Sequence, residues 1–380
     1  MSTKTVEKLA LPVNSMGTER TLTVIHYGDG SKPIKAYIQA GLHADEAPGY
    51  LVMHHLIKLL DAADQSGAIQ ANIVLVPVAN PVGADQWHEE VLRGRFDFFN
   101  YTNFNRKHLD IIQMVAEHIK DQLTDSADEN KQLIRQAMAT ALQAVSSEDE
   151  SAQLKHMLLS LAVDADIVLD LHCDYQAITH VYMGTPLWPD ARDLSAQIGA
   201  QATLLAKVSG GNPFDEACSR IWWELAEKYA DKPIPCACLA ATVELRGIAD
   251  VSHELAVQDA QNIYYFLQRR GFITGEAPIV PDLLNEATPL RGVEHIKATT
   301  PGIAVFLKTP GDMVKPGDVI VEVIDPLATS EKDAVTPIKT NIEGIVISIN
   351  VDRFARPGRI LSKVAGKKPL AGKGKTLLTA

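Results

Sequence analysis

His43 and Glu46 stand three residues apart in Gly41-Leu42-His43-Ala44-Asp45-Glu46-Ala47-Pro48-Gly49, and His172 directly follows the apolar run Ile167-Val168-Leu169-Asp170-Leu171. Imidazole and carboxylate are ligand types that zinc accepts. A His, Glu, His set leaves a fourth position open, as in catalytic rather than structural zinc sites. Taken singly, a His-x-x-Glu is more often a surface turn with a capping acid, and a histidine after a strand more often a core residue bonded to backbone; the case rests on the three together. Glu244 is the next candidate. It lies near the end of Ala240-Ala241-Thr242-Val243-Glu244-Leu245, where a carboxylate is costly unless it is paired or catalytic. An ion pair with Arg246 is the structural alternative. In Asn103-Phe104-Asn105-Arg106, Arg106 offers a planar fork that can hold a carboxylate and Asn105 a further donor. Arg93 and Arg95 flank Gly94 in an exposed-looking stretch. His54 and His55, inside a helical pattern, are read as structural.

These residues need elements to position them. Ile34–Ala40 reads as a strand, and apolar residues at helical spacing follow at Ala47–Leu60. Asn72–Ala79 reads as a buried strand ending at the turn Asn80-Pro81-Val82-Gly83, Asp166–Leu171 and Ala240–Leu245 as two more, and Ser252–Arg270 as an amphipathic helix. Such alternation implies an α/β class with helices packed on a largely parallel sheet, and open α/β sheets bind ligands beyond the carboxyl ends of their strands. Residues 107–163 hold three helical stretches, near Leu109–Leu123, Asn130–Val145 and Ala152–Ala162, and read as a helical insertion.

Near Ala277–Asp282 the texture shifts to short β-rich runs, and a repeat appears. Gly302-Ile303-Ala304-Val305 precedes Lys315-Pro316-Gly317-Asp318-Val319-Ile320, and Gly344-Ile345-Val346-Ile347 precedes Arg356-Pro357-Gly358-Arg359-Ile360-Leu361. Two strand, turn, Pro-Gly, strand copies resemble the lipoyl/biotinyl-type barrel-sandwich hybrid. The expected organisation is an α/β domain carrying the candidate site over 1–280, a β-rich domain over 281–366, and a basic flexible tail over 367–380.

Composition narrows the classes. A chain of 380 residues, 46% hydrophobic and 22% charged, suits two or three ordinary globular domains. Its net charge of −11 argues against nucleic acid as the main partner. No apolar run is long enough for a membrane span, and the polar start Met1–Lys8 lacks the apolar core of a signal peptide. Four cysteines do not make a disulfide framework, so a cytoplasmic protein is expected, with Cys236 and Cys238 as core thiols.

Gly-x-His-x-x-Glu-x-x-Gly, then Asn-Arg, then strand-His, then strand-Glu, in that order, resemble the zinc carboxypeptidase fold, and Glu244-Leu245-Arg246 is similar to the segment around its catalytic glutamate. The added β-rich domain points to the succinylglutamate desuccinylase/aspartoacylase branch. The resemblance implies a mixed, largely parallel sheet with helices on both faces, and one zinc per chain held by His43, Glu46 and His172. It implies Glu244 as general base, Arg95 (or Arg93) facing the oxyanion, and Asn105 and Arg106 holding a substrate carboxylate. After Asn105-Arg106 the short turn common in the family is replaced by the run into the insertion. Tyr175 and Tyr229 are candidates for the active-site tyrosine. The expected activity is zinc-dependent removal of an acyl group from an N-acyl amino acid or related small acidic amide. The alternatives are a carboxypeptidase acting on peptides, or a non-catalytic binding protein of the same fold. The β-rich domain is expected to cover the active-site mouth or to pair subunits, with Lys332 unmodified.

Overall fold

The computed structural model describes residues 2–13, 15–147, 149–374 and 376–378. Met1 of the polar start, and residues 375, 379 and 380 of the expected tail, lie outside that description. Nine strands form the large sheet, in the spatial order Thr5–Ala10, Thr21–Tyr27, Asn72–Val76, Lys35–Ala40, Ile167–Asp174, Leu239–Gly247, His180–Gly184, Ala202–Ala206 and Thr288–Pro289. The central strands Asn72–Val76, Lys35–Ala40, Ile167–Asp174 and Leu239–Gly247 pair in parallel. Antiparallel pairing enters at the amino-terminal edge and between Leu239–Gly247 and His180–Gly184.

Adjacent residues of a strand face opposite sides, and both sides of this sheet are covered. Ile38, Leu75, Leu169 and Val243 pack with Val52, Met53 and Leu56 of the helix Ala47–Gln65 and with Ile263 and Phe266 of the helix His253–Arg269. On the opposite face Tyr37, Val74, Val168 and Ala240 meet Phe214, Ile221 and Trp222 of the helix Phe214–Lys228. The inserted helices Ile112–Ile119, Ala127–Gln143 and Glu150–Ala162 join this second layer through Val115, Ile134, Met138, Leu154 and Leu158. Two of them begin at side-chain caps: Ser126 accepts from the Glu129 N–H and Asp149 from the Ala152 N–H.

Both copies of the carboxyl-terminal repeat form strand pairs. Four longer strands, Gly302–Phe306, Val319–Ile324, Gly344–Ile349 and Ile360–Gly366, with their partners, make two small sheets around Ile320, Val323, Val346, Leu361 and Val364. A two-residue strand, Gln176–Ala177, directly follows Ile167–Asp174 of the large sheet and pairs with Gly344–Ile349 of this unit. Lys332 lies in one helical turn, Glu331–Ala334, capped by Ser330. The stretch expected to fray carries an apolar exception, Leu377-Leu378, and it docks there. The Leu377 N–H donates to the Ser209 carbonyl at 2.7 Å, and its buried side chain joins Leu204 and Leu290. Cys238 is buried as expected, whereas Cys236, in the loop before the strand Leu239–Gly247, is exposed. No helix among the described residues is long and apolar enough to cross a membrane.

Candidate active site

The chain leaves the strand Lys35–Ala40 at Gly41, whose φ of +74° and close approach to Tyr50 (2.3 Å from a would-be Cβ) both demand glycine. The turn that follows delivers His43, and Glu46 stands immediately before the helix Ala47–Gln65. His43 Nδ1 lies 2.8 Å from Glu46 Oε1, and His172 Nδ1 2.8 Å from Glu46 Oε2. The three side chains are buried and their ligand atoms fall within 4.8 Å of one another. The far ring nitrogens test whether this set fits a cation. His43 Nε2 faces Asn103 Oδ1 at 2.8 Å, an oxygen that also accepts the Asn105 N–H, and His172 Nε2 faces Asp170 Oδ2 at 2.8 Å. A ring that gives its Nε2 proton to an oxygen can turn a lone pair on Nδ1 toward a metal, and outer partners of this kind orient metal-binding histidines. Burial opposes charge on His172, but Asp170 and Glu46 outweigh it and raise its pKa well above the ordinary value. A divalent cation competes for the same place and displaces that proton. The donor set fits a metal.

Asp170 is itself held. Gln39 Nε2 donates to its Oδ1 at 2.9 Å, and the Tyr37 hydroxyl donates to Gln39 Oε1 at 2.8 Å, all fully buried. Neither Asp170 nor Asn103 stands out as a site residue in the sequence. The signal was an acid inside an apolar strand, two residues before His172 and therefore on its face of the sheet.

Glu244 stands on the neighbouring strand in register with His172. Its Oε2 is buried without a hydrogen-bond partner. Arg246 does not pair with it. At the strand's irregularity Arg246 takes φ +64° and reaches Asp259 at 2.5 Å instead. Burial, then the neighbouring Glu46 carboxylate, raises the Glu244 pKa. Gly94 lets the following residues press against the His43–Glu46 turn, since a Cβ there would lie 2.5 Å from the Asp45 nitrogen. Arg95 thereby reaches Glu46 Oε1 at 2.9 Å, while Arg93 is exposed.

His43, His172, Glu244, Arg95, Asn105 and Arg106 line one cavity, so the candidate histidine ligands, base, oxyanion arginine and carboxylate clamp face one space, with Glu46 behind the histidines. Asn105 Oδ1 accepts the Phe214 N–H at 2.8 Å, fixing its loop to the helix Phe214–Lys228. Lys155, on the inserted helix Glu150–Ala162, donates to the carbonyls of Asn103 (3.2 Å) and Arg106 (2.8 Å) and props the same loop from behind. Other lining residues had no sequence signal. Tyr182 is the tyrosine in the cavity, whereas Tyr229 donates to the Ala116 carbonyl and Tyr175 borders an adjoining cleft. Lys363 arrives from the carboxyl-terminal unit, paired with Asp174 at 2.5 Å, and Leu378 and Asp215 also line the cavity.

Comparison with known proteins shows the chain's family and fold. The model of the succinylglutamate desuccinylase/aspartoacylase catalytic domain matches residues 33–270. Among solved structures, a protein assigned to succinylglutamate desuccinylase/aspartoacylase from Shewanella frigidimarina superposes with a TM-score of 0.84 at 25% identity, over 96% of this chain and 98% of that one. A family protein from Shewanella amazonensis gives 0.83 at 26% identity, over 96% and 99%. A succinylglutamate desuccinylase/aspartoacylase from Rhodobacter sphaeroides shares the fold at a TM-score of 0.67 and 16% identity, over 97% of each chain. No curated protein matches the chain.

Proposed function

Because the chain belongs to the succinylglutamate desuccinylase/aspartoacylase family, we propose that it is a zinc-dependent deacylase that hydrolyses the amide bond of an N-acyl amino acid. The observation that carries this reading is the convergence of His43 Nδ1, Glu46 and His172 Nδ1, with each far ring nitrogen on an oxygen acceptor and an unpaired Glu244 one strand away. Zinc held by these residues would supply Lewis acidity toward the scissile carbonyl and toward water. Glu244 takes the proton of the attacking water and passes it to the leaving nitrogen; its raised pKa suits both halves of that exchange. Arg95, aimed into the cavity beside Glu46, faces the oxyanion of the tetrahedral intermediate. Asn105 and Arg106 hold the carboxylate of the amino acid. Lys363 and Leu378, lining the same cavity, narrow the space available to a long peptide, which favours a small substrate over a carboxypeptidase's. The test is acyl release from a panel of N-acyl amino acids before and after chelation. Turnover should vanish with the metal and return with zinc; turnover indifferent to chelation would refute the reading.

A further inference from the structure

The charges that line the cavity can be matched one by one. Glu46, behind it, is shared by Arg95 and the two histidines. Lys363 is paired with Asp174. Glu216 accepts from the Ser209 N–H at 2.8 Å and from its hydroxyl at 2.5 Å, and faces Arg220 at 3.4 Å. Glu244 and Arg106 have the roles given above. Asp215 remains. It is the second residue of the helix Phe214–Lys228, lines the cavity, and is only 7% exposed. Among the described residues it forms no salt bridge, and the Glu216 backbone N–H and the Arg106 guanidinium favour its charged form only in part. Burial, then the nearby Glu216 and Asp170, pushes its carboxyl up to about 7 against the opposing pull of Arg106. The helix N-terminus makes a carboxylate tolerable at this position, but does not account for one buried against an open cavity.

Part of the cavity that Asp215 lines is apolar. Met183, Leu204, Trp223 and Leu290 line the same space. Such a wall suits a methylene stem, and an indole face attracts a cation. Resting on the deacylase reading of this cavity, we infer that the amino acid released here carries a positively charged side chain, an ammonium or guanidinium on a short alkyl stem, bound by Asp215. Arg106 and Asn105 take its carboxylate and Asp215 its cationic head. That is the opposite charge preference from the acidic amino acids in the family's name.

The experiment compares zinc-loaded wild type and Asp215→Asn on the Nα-acetyl derivatives of lysine, ornithine, arginine, norleucine and glutamate. Wild type should favour the cationic substrates over the norleucine derivative by about 10–100-fold in kcat/KM, the scale of one charge-assisted hydrogen bond. Asp215→Asn should collapse that ratio. Equal turnover of the lysine and norleucine derivatives, or a preference for the glutamate derivative, overturns the inference and leaves the deacylase reading standing. The wild-type ratio decides this even if the variant folds poorly. If no derivative is cleaved, the deacylase reading falls, and calorimetric titration with free lysine and norleucine decides the inference alone. Tighter lysine binding that is lost in Asp215→Asn supports it, and equal binding of the two overturns it.

Discussion

The metal cluster and the wall of the cavity beside it are built in different ways. Each metal-cluster residue comes from a strand end or the turn after it, and each histidine has one partner close in sequence, Asp170 two residues before His172 and Glu46 three after His43, while Asn103 and the His172–Glu46 contact join more distant segments. The wall is assembled from segments far apart. Asp215 comes from a helix start, Tyr182 from a strand on the other side of Glu244, Lys363 from the carboxyl-terminal unit and Leu378 from the chain's last described residues. A cluster fixed by local spacing can be read as a pattern, whereas a wall fixed by tertiary packing cannot. On the proposed reading, the chemistry sits in the first and the choice of substrate in the second.

Three substitutions can break or sharpen that contrast. The largest effect is expected where the two regions meet. Glu244→Gln keeps shape and burial but cannot accept a proton, so turnover should fall about 10²–10⁴-fold with metal content unchanged. Near wild-type kcat would remove Glu244 from the chemistry. Next, Asp170→Asn acts on the metal side alone. It removes the carboxylate behind His172, and zinc affinity, followed by competition with a chelating dye, should weaken about 10–100-fold. Unchanged affinity would mean that the Tyr37–Gln39–Asp170 chain serves packing only.

The smallest effect belongs to Lys155, which is buried and props the Asn103–Arg106 loop. Lys155→Met leaves two carbonyls without their donor, costing about 1–3 kcal/mol, and should raise KM for free-acid substrates while zinc stays bound. Burial lowers the Lys155 pKa to about 8 from 10.5. Between those values the unfolded chain binds more protons than the fold, so this group adds stability as pH rises through about 8. Thermal melts at either side of that range should show the increment in wild type and not in Lys155→Met.

The same contrast explains what could be read from sequence. The parallel strands, the inserted helices and the repeat in the carboxyl-terminal unit all follow from periodicity and turn residues, and the His43, Glu46, His172 and Glu244 placements from strand-end position. Arg95 could not be separated from Arg93, because the choice depends on Gly94 packing against the Asp45 backbone. Arg246 looked like a partner for Glu244 on spacing, but a positive φ at the strand's irregularity sends it to Asp259. The Leu377-Leu378 dock was hidden by the lysines and glycines around it.

Anomalous diffraction from crystals grown with zinc tests the central claim most directly. The account predicts one strong peak per chain, bonded to His43 Nδ1, a Glu46 oxygen and His172 Nδ1, and lost in His172→Ala. A fully loaded protein with no peak there, or with its zinc at another cluster such as the exposed His55–His253 pair, would contradict it.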